Sequence, residues 1–186
     1  MKSIPLFPLP VVLFPETLLP LQIFELRYRR MVKECLARNS GFAVVQGKDS
    51  KHPDISFHLT GTYGEIVDWH PLPNEMIGIE LKGLSKVRVL EFSSEKDGLI
   101  VANLELLKAE STSLDAHDEL DEILQHIQQH PLVSFLPLDL LATDAITISY
   151  QIADLLPFSG SEKQQMLELD NPRQRLELIL TTLKEF

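Results

Sequence analysis

Prolines stand at positions 5, 8, 10, 15 and 20 of this chain, in a stretch that is otherwise apolar. Each lacks a backbone N–H and fixes φ, which argues against helix interior and against a central strand throughout. Short extended pieces over 4–7, 11–14 and 18–21 are what fits between them. Pro15-Glu16-Thr17 reads as a turn joining two of these. After Pro20 the period changes. Phe24, Tyr28, Met31, Val32 and Cys35 recur at helical spacing, and Leu36 widens the stripe. Arg27, Arg29, Arg30, Lys33, Glu34 and Arg38 mostly take the other face. Asn39-Ser40-Gly41 ends the helix with residues that tolerate a left-handed cap.

Beyond the helix the pattern is that of strands. Phe-Ala-Val-Val-Gln at 42–46 predicts a buried strand, and 47–53 is a polar loop. A strand is predicted over 55–62, where Gly61 marks a bulge or a close backbone approach. Segments 64–70 and 76–82 read as a hairpin with 71–75 as its tip. Segment 87–92 follows, then a turn over 93–98 ending in Asp-Gly, then a last strand over 99–107. Many short strands with one early helix predict a small antiparallel barrel-like sheet.

From Thr112 the period is helical. Leu120, Ile123, Leu124 and Ile127 form a stripe, with Thr112-Ser113 as cap and Asp115 in the first turn. A second helix over 138–156 places Leu141, Ala145, Ile148, Ile152 and Leu155 on one side. The run from Ser161 to Gln164 reads as a capping box for a short helix to 169. Asn171-Pro172 opens a last helix striped by Leu176, Ile179, Leu180 and Leu183. These stripes need mutual partners, so residues 112–186 are expected to form a helical subdomain after a β subdomain over 1–108.

Charge divides at the same place. Residues 1–108 hold 13 basic and 13 acidic side chains, while residues 109–186 hold 4 and 14, so the second part carries the whole net charge of −10. That argues against a large phosphate-neutralising surface and makes nucleic acid an unlikely partner. No apolar run approaches the ~20 residues of a membrane span. The prolines and the missing cleavage site argue against a signal peptide, so the expected location is cytoplasmic. Cys35, the single cysteine, lies on the apolar helix face and reads as a buried, inert thiol.

Motifs for chemistry are weak. Gly41 to Asp49 (GFAVVQGKD) has the wrong glycine spacing for a phosphate loop, and Asp49 stands where Ser or Thr would hold magnesium. His126 and His130 have i, i+4 ligand spacing, but Ile127 follows the first where a zincin needs Glu, and His117 falls on the other helix edge. Solvated histidines beside acidic neighbours are the expectation. No nucleophile-elbow, Cys-His or Ser-x-x-Lys pattern stands out. The expectation is a protein with no catalytic residues, metal or cofactor.

The stretch PLFPLPVVLFPETLLPLQIFELRYRRMVKECL resembles the N-terminal, substrate-recognition domain of ATP-dependent Lon proteases. The resemblance continues at Gly61-Thr62 with Ile66, over 83–90 (GLSKVRVL) and over 101–107. It weakens in the last third. Glu16 stands where many members have Gly. The resemblance implies an α+β fold: a PUA-like antiparallel β pseudo-barrel with one packed helix, followed by helices. It implies a non-catalytic protein- or peptide-binding module, since no ATPase or Ser-Lys protease region follows before Phe186. Unfolded or apolar protein segments are the implied partners, with a protease or chaperone receiving them. Exposed apolar side chains suit that role, and Phe14, Leu18, Leu19, Trp69, Leu72 and Met76 are the candidates. The competing reading packs Trp69 into the sheet and leaves Leu72 an incidental surface leucine. Glu25, Arg27 and Arg29, from the FELRYR run, read as helix anchors or as a partner contact, with Glu25 pairing Arg29 at i, i+4. An RNA-binding module is the alternative, because PUA-like folds include RNA binders and the first helix carries five basic residues. A small-molecule enzyme is the third.

Overall fold

The first strand, β1 (Ile4–Leu9), contains Pro5 and Pro8 and still lies between two neighbours. It runs parallel to β3 (Phe42–Gly47) over residues 6–9 and antiparallel to β6 (Ile100–Leu106) over residues 4–6. The prolines therefore do not keep this stretch out of a central strand. The two ladders share only Leu6, so Pro5 and Pro8 each face a single partner strand. The parallel pairing also makes the sheet mixed rather than wholly antiparallel.

The computed structural model describes residues 3–48, 57–110, 117–134 and 144–185. Two compact units emerge, Met1–Lys108 and Ala109–Phe186. In the first, β2 (Leu18–Ile23), helix α1 (Leu26–Arg38), β4 (Phe57–Pro71) and β5 (Ile77–Ser94) complete the set with β1, β3 and β6. Residues 11–14, expected to be extended, form no strand. They reach the core by side chains instead: Val12, Leu13 and Phe14 are buried, and Thr62 Oγ1 donates to Leu13 O at 2.6 Å.

Two long strands replace four expected short ones. The segments 64–70 and most of 55–62 are one strand, β4, and 77–82 and 87–92 are one strand, β5; residues 55 and 56 lie outside the described residues. The register shift at Tyr63/Gly64, opposite Ser85 and Gly83, absorbs the changes of pattern that read as breaks, and a second shift at Ile66/Asp68 falls inside a segment that read as continuous. The strand order is β2-β5-β4-β3-β1-β6, and β5 pairs again with β6, which closes the sheet. The first half of β5 meets β2 and its second half meets β6. Gly61 marks a close approach, since a Cβ there would lie 2.3 Å from Val44 O.

Closure explains the continuous apolar run in β3. Ala43 and Val45 join one core cluster with Leu6, Phe57, Val87, Val89 and Ala102. Phe42 and Val44 join the other, with Phe7 and the α1 residues Tyr28, Met31, Val32 and Cys35. Phe24 does not belong to that stripe. The helix starts two residues later and leaves Phe24 67% exposed. Asn39 ends α1 in the left-handed conformation at φ 47°, with Ser40 N–H donating to Cys35 O at 3.0 Å.

The second unit contains α2 (His117–Gln128), α3 (Pro131–Ser134), α4 (Ala145–Leu155), α5 (Gly160–Glu168) and α6 (Pro172–Leu183). Leu124 and Ile127 of α2 are buried. The caps at Thr112, Ser113 and Asp115, and the 138–143 portion of the second predicted helix with its Leu141, lie outside the described residues. Asp144 caps α4 through its carboxylate, and Leu156, not Leu155, is the buried leucine at its end. The capping box of α5 uses Ser159 with Glu162 instead of Ser161 with Gln164. Ser159 has the extended backbone a cap needs, whereas Ser161 already lies in the first turn. Asn171 caps α6 with Pro172 behind it, and Leu176, Ile179 and Leu183 are buried.

Candidate functional site

β3 pairs with β4 only as far as Gly64, so among the described residues 65–71 of β4 have β5 as their one neighbour. Trp69 stands in this part, opposite Ile79 of β5, which stands opposite Leu21 of β2. Ile79 is buried, yet Trp69 is 53% exposed. Trp69 therefore does not pack as sheet core, because no strand lies beside it to carry the core that far. The hairpin tip follows. Leu72 N–H donates to Met76 O at 2.9 Å, and Asn74 and Glu75 both take positive φ, at 58° and 59°. Leu72 and Met76 are half-buried.

The six apolar candidates do not form one patch. Phe14 is 0% exposed and belongs to the interior, which removes it from any binding surface. Leu19 is half-buried and packs against the core beneath α1. Leu18 is 49% exposed, but it stands opposite Lys82, three residues along β5 from Ile79. Side chains alternate along a strand, so Leu18 and Trp69 lie on opposite faces.

The structure reveals a more exposed pair that the candidate set omitted. Phe24 and Leu26 flank the start of α1, with Leu26 77% exposed. Phe24 lines a groove of about 520 Å³ whose apolar walls also include Phe7, Leu9, Ile23 and Tyr28. Gln22, Glu25 and Arg27 supply its polar groups. Leu26 was visible in the sequence as an apolar residue off the helical stripe. Phe24 was masked because it fits the helical period while lying before the helix.

The charged residues of α1 reach turns of the sheet. Arg27 takes Glu25 at 2.7 Å, donates to Gly98 O at 3.0 Å, and lies with its guanidinium 4.7 Å from the centre of the Tyr28 ring. Arg29 donates to Glu75 at 2.8 Å, which fastens the hairpin tip to the helix. The expected Glu25–Arg29 pair gives way to these two contacts. Arg30 is held by Glu34 at 3.0 Å, Asp97 at 2.8 Å and Glu95, and Arg38 lies 3.4 Å from Glu34. Four of the five basic residues in the supposed stripe thus already face carboxylates. Burial pushes the pKa of the Tyr28 hydroxyl and the Cys35 thiol upward, so neither is primed as a nucleophile.

The chemical motifs gain no support. Residues 42–46 form buried strand, and Gly41 N–H is spent on Tyr63 Oη at 2.7 Å, so these amides do not cradle phosphate. Asp49 lies outside the described residues. His126 is exposed with Nδ1 2.7 Å from Glu122 O, and His130 Nδ1 accepts from Leu132 N–H at 3.4 Å. Among the described residues no group of three or more His, Cys, Asp or Glu is placed to hold a metal ion. No described helix is long and apolar enough to cross a membrane.

The chain matches the model of the ATP-dependent protease La (LON) substrate-binding domain over residues 3–185. It is 26% identical to a LON peptidase N-terminal domain and RING finger protein of Schizosaccharomyces pombe, across 98% of this chain and 45% of that protein. It is 23% identical to the Lon protease of Brevibacillus choshinensis, across 98% of this chain and 25% of that one. The chain therefore spans less than half the length of these curated relatives. Among solved structures, a Lon N-terminal domain protein from Xanthomonas campestris aligns with a TM-score of 0.74 at 25% identity, covering 97% of this chain and 98% of that one. The N-terminal domain of the Mycobacterium avium complex Lon protease aligns with a TM-score of 0.73 at 12% identity, covering 99% of each, which is a likeness of fold.

Proposed function

The chain belongs to the family of ATP-dependent protease La (LON) substrate-binding domains, and from that premise we propose that it captures exposed apolar segments of other proteins and hands them to proteolysis. The family supports a substrate-recognition module. The apolar chemistry of the client, an adaptor role towards a protease or chaperone, and residence in the cytoplasm are our reading.

One observation carries it. Phe24 holds most of its large apolar surface in solvent while lining a groove with apolar walls, and Leu26, more exposed still, lines a separate hollow along α1. Large apolar side chains left exposed by a folded domain favour docking of another chain. A disordered client pays ordering entropy on binding, so affinity per contact is low and avidity matters. RNA is disfavoured by the carboxylates already seated on Arg27, Arg29, Arg30 and Arg38.

The test is capture of tiled apolar and polar peptides by the protein and by a Phe24→Ser/Leu26→Ser double variant, with Trp69→Ser as a second site. Apolar peptides are expected to bind the wild type, and the double variant should lose at least about tenfold in affinity, roughly the worth of burying one such side chain. Its thermal midpoint should stay unchanged. Equal capture by all three proteins would remove Phe24, Leu26 and Trp69 from the binding surface.

A further inference from the structure

The helical unit is built around a buried arginine. Arg175 of α6 is 0% exposed, and its guanidinium is shared among several elements. Nε donates to Met166 O of α5 at 2.9 Å, Nη1 to Ser149 Oγ of α4 at 2.8 Å, and Nη2 to Leu169 O at 2.7 Å. Nη2 also donates to Glu110 Oε1 at 2.6 Å, in an ion pair whose acidic side chain is only 3% exposed. The Arg175 Cζ lies over the ring of Tyr150, 3.8 Å from its centre, and the Tyr150 hydroxyl donates to the same carboxylate oxygen. Glu110 lies in none of these helices. It precedes Arg175 by 65 residues and sits where the chain has just left the sheet.

On the other side of that point, Leu107 N–H donates to Lys86 O at 3.0 Å. The last backbone tie of the β unit is thus at Leu107, and the first buried side chain of the helical unit is at Glu110. Lys108 and Ala109 alone separate them. An arginine buried among carbonyls needs a counter-charge, and removing it leaves a desolvated cation. The connector supplies that charge.

We infer that Glu110, Arg175 and Tyr150 form a latch that fastens the connector to the helical unit and makes the packing of α4, α5 and α6 depend on it. Opening the latch frees the connector and loosens the three helices together. The connector carries its own reporter, because the bond after Lys108 is a trypsin site held between the two ties.

The full-length protein is compared with Glu110→Gln, Tyr150→Phe and, as a surface control on the same helix, Arg173→Ala. Hydrogen exchange is followed by segment, and trypsin cleavage after Lys108 by mass. Glu110→Gln should raise both exchange in α4–α6 and cleavage after Lys108 by at least about tenfold, while exchange in β3 and β4 is unchanged. Tyr150→Phe, which keeps ring and charge, should move both in the same direction by less. Arg173→Ala should move neither. Unchanged exchange in α4–α6 of Glu110→Gln overturns the latch, and so does an equal rise in both units. If Glu110→Gln accumulates unfolded, Tyr150→Phe decides: a rise confined to the helical unit and the connector supports the latch, and no rise rejects it.

Discussion

At the scale of single residues, Glu16 shows how a position can be strained and still serve the fold. It adopts φ 62°, a left-handed conformation that costs an L-residue roughly 1 kcal/mol. The turn holds it there: Glu16 N–H donates to Gly83 O at 2.9 Å, and Thr17 Oγ1 to Phe14 O at 3.1 Å. The resemblance places glycine at this position, and the geometry is the one glycine suits. Glu16→Gly is therefore expected to stabilise the protein by up to about 1 kcal/mol in urea unfolding, since the ion pair it loses to Lys82 is solvent-exposed and worth little. A loss of stability would mean that the Lys82 contact outweighs the backbone strain.

At the scale of elements, the ends of helices are set by single caps. Asp144 accepts from Ile146 N–H at 3.0 Å, Thr147 N–H at 3.1 Å and Thr147 Oγ1 at 2.8 Å. Partial burial pushes its pKa up, but these hydrogen bonds outweigh the burial and hold the carboxyl below the usual range. A depressed folded pKa contributes stability above the unfolded value of about 3.9, and that contribution disappears as pH falls through the folded value. Asp144→Ala should cost about 1 kcal/mol near neutral pH. The gap between variant and wild type should narrow only below about pH 4. Parallel denaturation curves across pH test this, and a gap that is constant down to pH 2.5 (roughly complete protonation of carboxyls) would show that the charge of the cap is irrelevant.

At the scale of the whole molecule, the two units carry different electrostatics. The net charge of −10 belongs to residues 109–186, while the β unit is neutral and knits α1 to its turns with Arg30, Glu34, Glu95 and Asp97. Screening relieves like-charge repulsion and weakens exposed ion pairs. Raising NaCl from about 0.02 M to about 0.5 M should therefore slow exchange in α4–α6 and speed it in the α1 contacts, each by the equivalent of ~1 kcal/mol or less. Shifts of the same sign in both units would contradict this division.

What the residues alone determined was local and periodic. The α1 stripe from Tyr28 to Cys35, the FAVVQ strand, the hairpin around residues 71–75, the inert Cys35 and the Asn171-Pro172 start all rest on spacing, propensity or turn chemistry, which act within a few residues. The family also followed from one uninterrupted stretch. Tertiary structure decided whatever depended on distant partners. Pro5 and Pro8 sit in a central strand because β3 and β6 take different halves of it. Phe14 is core, and Trp69 is not because β3 reaches no further along β4 than Gly64. Arg29 chose Glu75 over Glu25, and Arg175 chose Glu110, because folding brought carboxylates 46 and 65 residues away in sequence within hydrogen-bond reach. Exposure and pairing are properties of the neighbours a side chain acquires, and those neighbours are fixed only when the chain closes on itself.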